Sequence, residues 1–232
     1  MAERVVLITG ATGNLGRAVA AAFEAEGARL ALVGSRSESL DEAFPKRDPR
    51  HLKLAADLVD AGAAAGAVAE AERQFGRIDA LCALAGGFHM GEPVHDMPPD
   101  AWKRMMELNV ATVMNVAKAA VPGMIARKSG RIVTVGSMAA LKGGAEMSAY
   151  ASSKSTVMRL TESMAAELRG HGINVNCVLP STIDTPENRA AMPKADPEKW
   201  VRPADLAAVI AFLCSDGARA MHGALVPVVG LV

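Results

Sequence analysis

Val5-Val6-Leu7-Ile8-Thr9-Gly10-Ala11-Thr12-Gly13-Asn14-Leu15-Gly16 is the stretch that decides the fold. A short, uniformly apolar run rich in β-branched residues stops at a glycine. An alanine-rich segment with helical spacing follows at once. Glycines at such a junction let backbone approach a pyrophosphate closely, and the helix that follows offers its N–H groups and its positive end. Gly10, Thr12, Gly13, Asn14, Leu15 and Gly16 are therefore the candidate phosphate-binding turn. Their Gly-x2-Gly-x2-Gly spacing differs from the usual Gly-x-Gly-x2-Gly fingerprint. Taken alone, the stretch also reads as a plain strand-to-helix turn.

Working outward, the same alternation runs through the chain. Strands are expected at residues 4–9, 29–33, 51–55, 78–83, 131–135, 173–179 and 224–228. Helices are expected at 14–26, 38–44, 59–75, 99–126, 148–169 and 203–215. Strands that are apolar without alternation are buried on both faces, as in a parallel sheet covered by helices. The expected class is α/β, a Rossmann-type doubly wound parallel sheet of about seven strands with helices on both faces. No linker or repeat interrupts it, so residues 1–232 are expected to be a single dinucleotide-binding and catalytic domain. Residues 181–200, with Pro186, Pro193 and Pro197, are the least regular stretch and are expected to be a substrate lid.

Composition narrows the function. Half of the 232 residues are hydrophobic and only 3% aromatic, so the core is aliphatic. Lys plus Arg and Asp plus Glu number 25 each, giving zero formal charge. That balance speaks against a nucleic-acid or anionic-membrane surface. Met1-Ala2-Glu3-Arg4 leads straight into a strand without the pattern of a secretory leader. No apolar stretch is expected to reach the ~20 residues of a membrane span. Cys82, Cys177 and Cys214 are widely spaced in apolar segments and are expected to be reduced thiols in a cytoplasmic protein. The five histidines show no metal-ligand spacing, so no metal site is expected.

The only tyrosine, Tyr150, stands four residues before Lys154 in an expected helix, so the two share a face. A nearby ammonium would lower the phenol's ordinary pKa of about 10, suiting it for proton transfer. The competing reading is one buried aromatic beside a snorkelling lysine. Ser137 follows Gly136 at the carboxyl end of the expected fifth strand, where open α/β sheets bind their ligands. Asn109, between Leu108 and Val110, is a poor helix former inside an expected helix and points to a buried role. After the second strand, Gly34 and Ser35 offer no carboxylate for a ribose hydroxyl. Arg36, with Ser35 and Ser37, would suit a 2′-phosphate instead.

Ser137, Tyr150, Lys154 and Asn109, at these spacings and with the glycine turn, resemble the short-chain dehydrogenase/reductase family over essentially the whole chain. The resemblance implies that Tyr150 is the general acid/base. It implies that Lys154 binds the nicotinamide ribose and lowers the Tyr150 pKa. Ser137 would orient the substrate oxygen, and Asn109 would hold a water in a proton relay. It further implies that Asp57, followed by Leu58, contacts the adenine. Ala85 and Gly86 would wall the cofactor pocket, and Ile183 and Thr185 would meet the carboxamide. Two departures stand out. Ala83-Leu84-Ala85-Gly86 replaces the family's Asn-Asn-Ala-Gly, and Pro180-Ser181 replaces its Pro-Gly. They are loosely similar to the dihydropteridine reductase branch.

The expected activity is hydride transfer between a nicotinamide cofactor and a small or medium carbonyl/alcohol pair, with NADP favoured over NAD. Pterin or quinone reduction is an alternative substrate class. A cofactor-binding regulatory or scaffold protein without turnover is the alternative of another kind. Phe88, His89, Met90, Met138, Leu141, Met147 and Met192 are the expected pocket lining. A homodimer or homotetramer is implied by the resemblance.

Overall fold

Neighbouring residues along a strand point to opposite faces of a sheet, so a strand with no polar alternation needs a cover on both sides. The computed structural model, which describes residues 3–231, provides both covers. The expectation about the N-terminal leader falls mainly on Met1 and Ala2, outside the described residues.

The strands are β1 (Val5–Thr9), β2 (Arg29–Gly34), β3 (His51–Ala55), β4 (Ala80–Ala83), β5 (Gly130–Val135), β6 (Ile173–Pro180) and β7 (Leu225–Val228). They form one parallel seven-stranded sheet in the order β3-β2-β1-β4-β5-β6-β7. The helices are α1 (Asn14–Ala25), α2 (Ser37–Ala43), α3 (Ala61–Phe75), α4 (Pro99–Met106), α5 (Thr112–Arg127), α6 (Ser148–Leu168), α7 (Pro186–Ala191) and α8 (Pro203–Leu213). Val6 and Ile8 face one core with Val19, Phe23 and Ile210, beneath α1 and α8. Leu7 faces the other with Ala64, Val116 and Leu168, beneath α3, α5 and α6. The doubly wound α/β sheet is therefore as the sequence predicts. Pro227 lies in β7, an edge strand, where a missing N–H is tolerated.

Register sets the crevice. Thr9 pairs with Ala83, Ala83 with Thr134, and Thr134 with Cys177, so these four form one row across the sheet. The segments that leave the sheet beyond this row lie side by side. Strand order reverses between β1 and β4, the switch point at which doubly wound sheets bind ligands.

Three expectations are corrected. The helix read as 99–126 is broken by a wide π turn at Glu107–Ala111, which separates α4 from α5. The stretch 181–200 is more regular than expected: it holds α7, a 3-10 turn at Pro197–Lys199 and a bridge from Ile183 to Val201. Finally, the helical run Pro99–Arg127 is long and apolar enough, by length and composition, to cross a membrane. Its first turns carry Asp100, Lys103, Arg104 and Glu107, but its later turns form an almost uncharged window. Here α5 packs against α3 and α4 against α6.

Candidate active site

At the β1–α1 junction, Gly10 adopts φ +63°, a conformation open to glycine at no steric cost. A Cβ on Gly16 would lie 2.2 Å from the Gly10 carbonyl oxygen, so α1 can pack this closely only with glycine there. Gly13 caps α1 without a side-chain hydrogen bond, and the first turn carries no acid. The N–H groups of that turn are thus left for an external anion. The glycine turn as built fits the pyrophosphate of a dinucleotide. The Thr9 hydroxyl accepts from the N–H groups of Leu84 (3.0 Å) and Ala85 (3.1 Å). It fixes the segment where the family's two asparagines are missing. The sequence reading overlooked Thr9, although its signal, a polar residue closing an apolar strand, was present.

Across the crevice, α6 presents Tyr150 and Lys154 on one face. Lys154 is buried, with 7% of its surface exposed, and its Nζ donates to the Val135 carbonyl oxygen at 2.9 Å. That excludes the snorkelling lysine. Burial pulls its pKa down to about 8. The Tyr150 phenol moves opposite to the expectation: burial pushes its pKa up, and the nearby Ser137 hydroxyl opposes the shift. The Phe88 ring meets Tyr150 edge-on, 4.8 Å between centroids at 72°. Ser137 is buried at the end of β5, and its Oγ accepts from the Ala139 N–H at 3.2 Å.

Asn109 sits in the π turn, 1% exposed. Such wide turns re-aim a side chain and are frequent at functional sites. Its Oδ1 accepts from the Gly87 N–H (2.9 Å), while Nδ2 donates to the Gly87 carbonyl (3.1 Å) and to Ser153 Oγ (2.9 Å). Ser153 in turn donates to the Tyr150 carbonyl oxygen at 2.8 Å. The amide therefore ties the segment after β4 to α6, and its two donors are both in use. A Cβ on Gly86 would sit 2.5 Å from Asn109 Oδ1 and 3.3 Å from Lys154 Nζ, so a side chain here would have to displace the Asn109 amide.

A cavity of about 960 Å³ connects these parts. Gly10, Thr12, Gly13, Asn14, Leu15, Gly16, Ala85, Gly86, Ser137, Tyr150, Lys154, Ile183 and Thr185 all line it. Asn109 lies behind its wall. Ser35, Arg36, Asp57 and Leu58 lie outside it. Arg36 is exposed and has no ion-pair partner among the described residues, Glu38 included. Asp57 is exposed and accepts from the Val59 N–H at 3.0 Å. The Leu58 side chain is buried in the core beneath α3 and α5, so only its backbone remains for a ligand. Of the expected substrate lining, Phe88, Met138, Met147 and Met192 border the cavity, whereas His89, Met90 and Leu141 do not. Glu187 and Asn188 of α7 line it as well. Glu187 accepts from Asn14 Nδ2 at 2.8 Å, linking α7 to the glycine turn.

A dinucleotide-dependent oxidoreductase is the class that this sheet, glycine turn and crevice define. The chain belongs to the short-chain dehydrogenase/reductase family: the family model described as short chain dehydrogenase matches residues 4–196. It is 35% identical to a cis-4-hydroxycyclohexanecarboxylate dehydrogenase of Sinomonas cyclohexanicum, over 99% of this chain and 96% of that one. It is 34% identical to 2-(S)-hydroxypropyl-CoM dehydrogenase 3 of Xanthobacter autotrophicus, over 98% and 96%. Among solved structures, an NAD+-bound xylitol dehydrogenase superposes with a TM-score of 0.90 at 30% identity, covering 98% of each chain. The protein is an NAD(P)-dependent oxidoreductase of this family acting on small molecules.

Proposed function

We propose that the chain interconverts an alcohol and a carbonyl compound, with Tyr150 as general acid/base. One observation carries the reading: Tyr150, Ser137 and Lys154 line a single cavity with the glycine turn, at the carboxyl ends of the strands. When bound, a nicotinamide ring would exchange hydride with the substrate carbon. In reduction the Tyr150 phenol gives its proton to the substrate oxygen, and in oxidation the phenolate takes it. Ser137 donates a hydrogen bond to that oxygen as charge develops on it. Lys154 serves the ribose side of the cavity. Asn109 acts as a positioning residue, holding α6 and the Gly86–Gly87 segment in register.

The whole of 1–232 works as one unit in this proposal, with residues 181–200 as its lid. NADP is the favoured cofactor, because no carboxylate occupies position 34 or 35 and Arg36 is exposed and unpaired among the described residues. The ratio of kcat/KM for the two cofactors, before and after Arg36→Ala, measures that preference. A cytoplasmic homodimer or homotetramer is the proposed form.

Tyr150→Phe tests the chemistry. General acid/base catalysis contributes roughly 10²–10⁴-fold, so turnover of ketones with reduced cofactor is expected to fall by that factor while cofactor binding persists. Retention of more than a third of the wild-type rate, with chemistry limiting, overturns the assignment. Binding without turnover across ketones, aldehydes, quinones and pterins would favour the scaffold reading.

A further inference from the structure

The wall around Ser137 and Tyr150 has a distinct chemistry. Phe88, Met138, Met147 and Met192 line the same cavity as Ser137 and Tyr150, with Phe88 against the Tyr150 ring, and Met138 is anchored from behind on Met158, Cys177 and Leu179. Thioethers and a ring edge are polarizable, apolar and adaptable in shape. The ionisable residues lining the cavity, among those described, are Tyr150, Lys154 and Glu187. Lys154 is buried and bonded to the Val135 carbonyl, beside Gly86. Glu187 is an anion bonded to Asn14, at the glycine turn. At the rim, His89 is paired with Glu92 at 2.7 Å. Lys142 is exposed, on a loop that also carries Glu146 and that meets the cavity through Met147. Lys154 keeps its charge and two N–H donors, but the reading above gives it to the ribose side; among the described residues no other cation lines the cavity to pair with an anionic substrate group. Met138 and Met147 are half-buried and Phe88 and Met192 exposed, so a carboxylate placed against them would lose part of its water and gain no partner, which weakens binding.

We infer that the substrate is a neutral ketone with an apolar body, or the matching secondary alcohol, held by Phe88 and the three methionines, and that carboxylate-bearing analogues are rejected. The inference rests on the oxidoreductase reading above and adds the substrate class to it.

The test uses NADPH with two ketones of matched shape, 4-methylcyclohexanone and 4-oxocyclohexanecarboxylate. The neutral ketone is expected to show a kcat/KM at least about tenfold higher, mostly through KM, since a partly desolvated, unpaired charge is penalised on binding. Met147→Arg is expected to narrow the ratio by supplying the missing cation. Met138→Arg takes its place if the first variant fails to bind NADPH. Equal turnover, or preference for the carboxylate, overturns the inference and leaves the oxidoreductase reading standing. If Lys142→Ala then removes that preference, the rim lysine is the anion's partner and the inference fails for that reason. No turnover of either ketone or of a wider carbonyl panel, with NADPH still bound, overturns the oxidoreductase reading and this inference with it.

Discussion

Tyr150, half-buried, and Lys154, buried, stand one turn apart on one face of α6 and line the same cavity, and each has moved away from its ordinary pKa. The chain has a single tyrosine, so its phenol can be titrated directly by ultraviolet difference absorbance. Burial raises its pKa and Ser137 opposes the rise. The cofactor-free protein is therefore expected to titrate above pH 10, and Ser137→Ala to move the midpoint higher still. A midpoint unchanged by the substitution would separate the serine from the phenol. Lys154 gives a stability prediction. Its folded pKa is about 8 against an ordinary lysine value of 10.5, so between these values the unfolded chain binds more protons. Stability contributed by this residue thus rises with pH through that window. The penalty is full below pH 8 and gone above 10.5. At 1.36 kcal/mol per pH unit the penalty is on the order of 3 kcal/mol. Lys154→Met is expected to stabilise the cofactor-free protein at pH 7 by part of that amount, offset by loss of the bond to Val135. Its advantage should shrink as pH rises, as urea unfolding at pH 7 and pH 9.5 would show. The Tyr150–Lys154 pairing was legible in the sequence. Where the ammonium ends up was not, because the Val135 carbonyl that captures it comes from another strand.

Among the elements, α7 and the glycine turn matter most. The short helix α7 places Glu187 against Asn14, and Asn14 also accepts from Arg17 Nη2 at 2.8 Å. Hydrogen bonds, chiefly from the Glu187 backbone and Thr185, with a smaller part from Asn14, hold the carboxyl below the usual range. An anion thus stands beside the glycine turn proposed to receive phosphate. Glu187→Gln is expected to tighten NADP binding several-fold while keeping the contact to Asn14, as titration of cofactor fluorescence would reveal. Weaker binding would mean that the carboxylate aids the closed arrangement more than it repels the phosphates. The π turn at Asn109 belongs to the same scale. Its sequence clue was one polar residue among apolar neighbours. The Gly87 and Ser153 groups that Asn109 reaches from it are both remote in sequence.

For the whole molecule, the crevice is completed by segments from opposite ends of the chain, so filling it should stabilise the entire fold. A ligand at a hundred times its Kd adds about 2.7 kcal/mol. In a chain of this size each kcal/mol shifts the unfolding temperature by roughly 2–4 °C. NADP is expected to raise the melting temperature by about 5–10 °C under those conditions, and Arg36→Ala to lose more of the shift with NADP than with NAD. Equal losses with both cofactors would remove Arg36 from 2′-phosphate recognition. By itself the sequence determined the doubly wound sheet, because strands apolar at every position need covers on both faces. The glycine turn and the shared face of Tyr150 and Lys154 were also legible in it, because those patterns are local or fixed by helical period. Only the tertiary structure decided that Lys154 is buried and bonded to Val135, that Asn109 clamps Gly87 to α6, and that Leu58 turns into the core. It alone decided which of the expected apolar residues wall the cavity. Each of these outcomes depends on strand register and on how helices pack across the sheet, which bring together groups that no spacing along the chain relates.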